Sequence, residues 1–467
     1  MTTEKLKEKL ELPRRSAWRQ MGATEKERMF SLADEYRHFL DLSKTEREAF
    51  SQILLQAKEE GFTPIGEGTG DVYWQQFGKM IALVKPGKLP VREGVNLVAT
   101  HIDAPRIDLK LRPLFEEEGM AWFKTHYYGG IKKYQWVTIP LALHGVIFRK
   151  DGGKLTISIG EAEDDPVFTI TDLLPHLAGK VQSSKRIADA IPAEKLNVLV
   201  GGLELDGDEK TKAGTKLAIL DLLNRKYDLI EEDFIRAELE LVPAGKARDV
   251  GFDRAFVGGY AHDDRACTFA ALKALMETTN PARTAVLLCL DKEETGSDGN
   301  SGAKSKLIEL LFSQLLSQNN EPADYASLLE AMRNSMAISA DVTAGIDPSY
   351  SSVHDKYNDA KIGHGVCLTK YTGARGKSAA NDAHAEYVAG ITAEWSRKGL
   401  HWQAGEMGKV DVGGGGTVAK YLSALGMQVV DAGPPILSMH SPFEIIHKAD
   451  LAMAKEAYLA HFEAKWS

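Results

Sequence analysis

The sequence predicts an α/β protein: a mixed, largely parallel sheet covered by helices, interrupted by a more β-rich insertion. Three observations predict it. Short continuous apolar runs alternate with helical periodicity up to position 113 and again from 255 onward, as in a sheet buried on both faces. Between 114 and 254 the texture changes to hairpins and alternating strands. Several of the apolar runs end in a histidine or an acidic residue. The expected organisation is therefore an α/β domain at 1–113 and 255–467, with an inserted β-rich domain at 114–254. A chain of 467 residues is too long for one ordinary core.

The elements follow in order. Thr24 with Glu27, and Ser43 with Glu46, each fit the S/T-x-x-E capping box, so a helix is expected after each. Phe50, Leu54 and Ala57 share one face of the second helix, and Gly61 can stop it. "VNLVAT" at 95–100 reads as a short buried strand. In the insertion, "WVTIPLALHGVIFRKDGGKLTISIG" reads as a hairpin turning at Asp151-Gly152-Gly153. "AELELVP" alternates like a half-exposed strand. Then come helix 264–278 with Phe269, Leu272 and Met276 inward, strand 284–290, helices 304–317 and 323–334, and strands 336–340, 362–369 and 426–431.

Composition narrows the function. With 43% hydrophobic and 26% charged residues the chain has an ordinary globular make-up. A net charge of −9 without a basic block argues against a nucleic-acid partner. No apolar stretch is long enough to span a membrane, and the charged N-terminus lacks the apolar core of a signal peptide. Cys267, Cys289 and Cys367 are widely spaced and form no CxxC, which predicts buried thiols in a reducing compartment. A cytoplasmic location is expected.

Chemistry concentrates where the strands end. "LCLDKEETGSDGNSGA" at 288–303 turns an apolar run into two adjacent glutamates, Glu293 and Glu294. A solvated turn is the usual meaning of such a pair, since Glu is seldom buried unless paired or metal-bound. Other strands end similarly: "THID" gives His101 and Asp103, "ISAD" gives Asp341, and "VVDAGPPILSMHSP" leads to His440. "HDDRA" sets Asp263 and Asp264 at the start of a helix. In an open α/β sheet the carboxyl ends of the strands border one crevice. His101, Asp263, Glu294, Asp341 and His440 can therefore converge, and two imidazoles with three carboxylates suit Zn²⁺, Mn²⁺ or Co²⁺.

Taken in order, "ATHIDAPRIDLKLRP", "HDDRA", "DKEETGS", "ISADV", "DVGGGGTVAK" and "LSMHSPFE" resemble the aspartyl aminopeptidase family of co-catalytic metallopeptidases over nearly the whole chain. The resemblance implies a zinc aminopeptidase-like fold and a site for two divalent ions, zinc foremost, with manganese or cobalt as alternatives. It makes Asp263 the bridge between the ions, with His101, Glu294, Asp341 and His440 completing the shells. Glu293 becomes the proton carrier, and Asp103 orients His101. The implied substrates are peptides with a free N-terminus. The resemblance further implies that the insertion mediates dimerisation within a twelve-subunit shell, where His144 of "IPLALHG" serves a neighbour's site. Otherwise His144 is an ordinary residue of an alternating strand.

The sequence also departs from the family pattern. After Asp341, "DVTAGIDPSY" has Thr343, Ala344 and Asp347 where better-known members carry histidines and an asparagine, and "DVGGGG" replaces a Pro- and Cys-containing stretch. These changes fall on the substrate side and put the acidic preference implied by the family name in question. Lys370, Arg375 and Lys377 are the candidate partners for an acidic side chain; a solvated basic loop is the alternative. A tetrahedral-type aminopeptidase preferring neutral residues, an amidohydrolase or carboxypeptidase on the same scaffold, and a non-enzymatic assembly protein are the other readings.

Overall fold

The computed structural model describes residues 2–12, 15–205 and 214–466. Its main sheet has nine strands, in the spatial order Thr63–Pro64, Val72–Gln76, Met80–Lys85, Ala285–Leu290, Asn96–His101, Met336–Ser339, Gln428–Gly433, Val366–Thr369 and Trp402–Ala404. The four middle strands, from Ala285–Leu290 to Gln428–Gly433, are mutually parallel, and antiparallel neighbours flank them. This is the mixed, largely parallel sheet that the alternation predicts. Among the described residues no helix is long and apolar enough to cross a membrane.

Register explains why these strands are continuously apolar. Leu287, Val98, Ile338 and Val430 pair across the four parallel strands and enter one core, with helices His262–Glu277 and Lys448–Glu463 over them. The next row back, Val286, Leu97, Ala337 and Val429, enters the opposite core under helices Leu307–Gln318 and Tyr325–Arg333. Each strand is thus buried on both faces, and polar side chains have room only at its ends. Cys267, Cys289 and Cys367 are buried, as expected.

A second, antiparallel sheet has seven strands, in the order Lys154–Ile159, Leu141–Phe148, Ala237–Pro243, Arg106–Glu117, Met120–Tyr128, Val198–Gly201 and Thr169–Ile170. Its Arg106–Glu117 strand leaves the main sheet five residues after His101 and runs across position 113. A buried ionic cluster ties it to the helical layer. Arg106 lies 3.1 Å from Glu240, 2.8 Å from Asp108 and 3.5 Å from Glu46, while Lys79 sits 3.0 Å from Glu46. A third sheet of five short strands includes Phe256–Gly259, Glu444–His447 and Thr343–Ala344.

Three local expectations are corrected. The helix Glu46–Glu59 is capped by Thr45, whose hydroxyl accepts from Glu48 N–H while Glu48 accepts from Thr45 N–H. Ser43 and Glu46 fit the same pattern, but Glu46 is wholly buried in the ionic cluster. The preceding helix, Ala23–Asp41, is capped at Gly22 by Glu25 and not at Thr24. "AELELVP" is buried over 239–242, because Glu240, which alternation leaves outside, pairs with Arg106 inside the structure. The hairpin about Asp151-Gly152-Gly153 forms as read, with Phe148 opposite Lys154.

One glycine couples this packing to the strand ends. A Cβ on Gly433 would stand 2.0 Å from the carbonyl oxygen of Asp341 and 3.1 Å from Cys267 Sγ. The nearer contact is backbone, so backbone must move. Gly433→Ala is expected to lower the unfolding free energy by ~1–3 kcal/mol, the usual effect of overpacking, in denaturant titration. An unchanged midpoint would show that the Asp341 turn yields freely.

Candidate active site

Beyond Leu290, Lys292 and Gly296 adopt positive φ around a single 3-10 turn, Glu293–Thr295, closed by Gly296 N–H to Glu293 C=O at 2.8 Å. Both glutamates of this tight turn line a cavity of about 460 Å³ together with Asp263, Asp341 and His440, and the Glu294 side chain is only 4% exposed. Asp263 opens the helix His262–Glu277 with non-helical backbone angles, which turn its carboxylate toward the strand ends.

Asp263 organises the cluster. Its Oδ1 lies 3.1 Å from His101 Nε2, and the same nitrogen is 3.9 Å from Asp341. Its Oδ2 lies 3.2 Å from His440 Nε2, which is 3.4 Å from Glu294 Oε1. Each carboxylate oxygen thus faces a different histidine–carboxylate pair. All five residues that the strand-end pattern singles out come together here. Ligand atoms of His101, Asp263 and Glu294 lie within 4.8 Å of one another, and so do those of His101, Asp264 and Asp341.

The rings are oriented from behind. His101 Nδ1–H faces Asp103, at 3.1 Å from its carbonyl oxygen and 3.3 Å from Oδ1, and His440 Nδ1–H donates to Gly130 C=O at 2.9 Å. Both Nε2 atoms are left for the cluster. Asp103 also accepts from the backbone N–H groups of Glu293 and Glu294, at 3.1 and 3.2 Å, and from Tyr128 Oη–H at 2.6 Å. One carboxylate therefore holds the first histidine and the two-glutamate turn together.

Crowding sets the electrostatics. Burial, followed by the charge of Asp263, pushes Glu294 and Asp341 well above the carboxylate range. Burial also opposes ionisation of Asp263, but hydrogen bonds from His101 and His440 overcome it and hold that carboxyl low. His440, for which burial disfavours charge, is nevertheless held up at about 10 by Asp263. Burial pushes the Glu293 carboxyl up to about 7, a value suited to moving protons near neutrality. Glu294 Oε1 is buried and accepts no hydrogen bond. Buried carboxylates at this density, with imidazole nitrogens between them, fit divalent cations.

Two organising groups escaped the sequence reading. Glu444 accepts from Asp263 N–H at 3.0 Å and from His440 N–H at 2.6 Å, holding both backbones. It ends the "LSMHSPFE" stretch, and a carboxylate four residues past a candidate ligand was the available signal. Tyr128 and Gly130 come from the inserted sheet, and neither residue type signals a site. A second cavity, of about 290 Å³, adjoins the first through Asp341. It is lined by Thr343, Thr369, Arg375, Lys377, Glu406, Thr417 and Asp431 among others.

Comparison with known proteins agrees over most of the chain. The description "Aminopeptidase I zinc metalloprotease (M18)" matches residues 39–462. A probable M18 family aminopeptidase 1 of Clostridium acetobutylicum is 44% identical over 456 residues, 96% of this chain and 97% of that protein. The crystal structure of an M18 family aminopeptidase from Thermotoga maritima superposes with a TM-score of 0.93 at 43% identity, covering 97% of this chain and all of that one. The structure of the S. cerevisiae mApe1 dodecamer superposes with a TM-score of 0.73 at 21% identity, covering 92% of this chain and 96% of that one, a likeness of fold.

His144 is not brought to the cluster in its own chain. It is 2% exposed, with Nδ1 at 2.7 Å from Glu48 and Nε2 at 3.2 Å from Glu161. Burial disfavours its charge, but Glu161 and Glu48 outweigh this and hold the imidazole up at about 9. Because the folded value lies above the ordinary 6.5, the stabilisation is complete below that pH and is lost as pH rises through about 9. The stability difference between the native chain and His144→Gln is therefore expected to shrink by ~1–3 kcal/mol over that interval, measured by denaturant titration. A difference independent of pH would contradict the two-carboxylate account.

Proposed function

The chain belongs to the aminopeptidase I zinc metalloprotease (M18) family and is a metallo-aminopeptidase, and from this premise we propose that two divalent cations, zinc foremost, work at the Asp263 cluster. His101 and Asp341 would hold one, His440 and Glu294 the other, with Asp263 shared between them. The observation that carries this reading is the division of the Asp263 carboxylate between two histidine–carboxylate pairs. Such ions supply Lewis acidity: they polarise the scissile carbonyl and make water acidic enough to ionise near neutral pH. Glu293 takes the proton of the attacking water and returns it to the departing amine nitrogen. Asp103 keeps His101 and the Glu293 turn in register. The substrates are peptides with a free N-terminus.

For the substrate side we favour neutral N-terminal residues. Of the three basic candidates, Lys370 and Lys377 are both held by Asp382, at 2.7 and 2.9 Å, and Lys377 lies over the Tyr371 ring. Arg375 alone is left to recognise an acidic side chain, at the exposed rim of a cavity whose wall also carries Glu406 and Asp431. Thr343 and the run Gly413–Gly416, where the sequence departs from its family pattern, line the two cavities. We further propose homo-oligomeric assembly, built from dimers through residues 114–254 and reaching a dodecamer, as the yeast likeness suggests. His144 would have to leave Glu48 and Glu161 to serve a neighbour, so no step is assigned to it.

The adjacent glutamates give the test. Glu293→Gln is expected to retain metal and lose ~10²–10⁴-fold in kcat, whereas Glu294→Gln is expected to weaken metal binding. Equal metal loss in both variants would overturn the division of labour. On aminoacyl p-nitroanilides, Leu, Met and Ala substrates are expected to exceed Asp and Glu substrates in kcat/KM. The reverse order would restore the acidic preference and make Arg375 its carrier.

A further inference from the structure

The Met120–Tyr128 strand belongs to the inserted sheet, yet its last residue and the two that follow all reach the cluster. Tyr128 Oη–H donates to Asp103 Oδ2 at 2.6 Å. Gly129, at φ +73°, lies so close to Glu294 that an added Cβ would stand 3.3 Å from its Oε2. The carbonyl of Gly130 accepts from His440 Nδ1–H at 2.9 Å. Behind this segment, the Arg106 guanidinium stacks 3.9 Å from the centre of the Tyr128 ring, and Arg106 is itself fixed by Glu240 and Asp108.

We infer that Tyr128, with Gly129 and Gly130, is a positioning clamp through which the inserted domain sets the catalytic geometry of its own chain, independently of any role in assembly. The path is short and charge-assisted. Asp103 Oδ2 takes its shortest hydrogen bond from Tyr128, and the two oxygens of that carboxylate take the backbone N–H groups of Glu293 and Glu294. A carboxylate free to rotate about its Cβ–Cγ bond presents these oxygens in many directions. A phenol held by a stacked guanidinium selects one, and hydrogen bonds to an ionised acceptor are about twice as strong as neutral ones. Tyr128 touches neither the proposed reacting atoms nor the proposed ions. Its effect runs through Asp103, so the inference rests on the role given to Asp103 above.

The experiment compares Tyr128→Phe, Asp103→Asn and the double variant as zinc-saturated holoenzymes on a chromogenic aminoacyl substrate. Tyr128→Phe is expected to lower kcat about 10–100-fold, the usual effect of losing a partner behind an active-site ligand, with KM within about threefold. In the Asp103→Asn background the same change is expected to add nothing. Hydrogen–deuterium exchange across residues 292–296 of the metal-free protein is expected to be faster in Tyr128→Phe, a readout separate from turnover. Unchanged kcat, unchanged exchange, or an equal further loss in the Asp103→Asn background would each overturn the clamp. Full activity in Asp103→Asn would instead overturn the role of Asp103 itself, which separates the two failures.

Discussion

The carboxylate of Asp263 cannot face two histidine–carboxylate pairs unless its own backbone is held, and much of this structure serves that end. Glu444 grips the N–H of Asp263 and the N–H of His440 with its two oxygens, locking the shared carboxylate to the second histidine. Asp103 does the corresponding work for His101 and the two-glutamate turn. The result gathers Glu294 and Asp341 around Asp263, where burial and the charge of Asp263 disfavour their ionisation. A protein keeps such an arrangement only when something offsets the cost, and bound divalent cations do so directly.

The two sheets divide the labour. The main sheet is apolar on both faces, so chemistry is confined to its carboxyl edge, where His101, the Glu293 turn and Asp341 emerge from adjacent parallel strands. The inserted sheet begins five residues later and returns at Tyr128–Gly130. Asp103 lies in the connection between the two sheets and is bonded to both: to the main sheet's turn through Glu293 and Glu294, and to the inserted sheet through Tyr128. The buried cluster of Arg106, Glu240, Glu46 and Lys79 stiffens that junction.

The strand-end residues were legible in the sequence because several buried strands end on His or an acidic residue and such ends border one crevice. That pattern, with the family resemblance, singles out His101, Asp263, Glu294, Asp341 and His440, and the structure brings these five together. For Glu444 the one signal was its place four residues past a candidate ligand, since its work is done on backbone N–H groups that the sequence does not mark. Tyr128 was not legible, because an aromatic residue in a strand ordinarily reports packing. Both capping boxes shifted by two residues; at the second helix the Ser43-x-x-Glu46 and Thr45-x-x-Glu48 frames overlap, and the burial of Glu46 decides between them. Glu240 sat at an outward position by alternation and was drawn inside by Arg106, a partner remote in sequence.

The central claim is that one carboxylate is shared by two ions, and anomalous diffraction from zinc-loaded crystals addresses it most directly. The account predicts two zinc peaks flanking the Asp263 carboxylate, one beside His101 and Asp341, the other beside His440 and Glu294. A single peak under saturating zinc, or two peaks of which one lies away from Asp263, would contradict it.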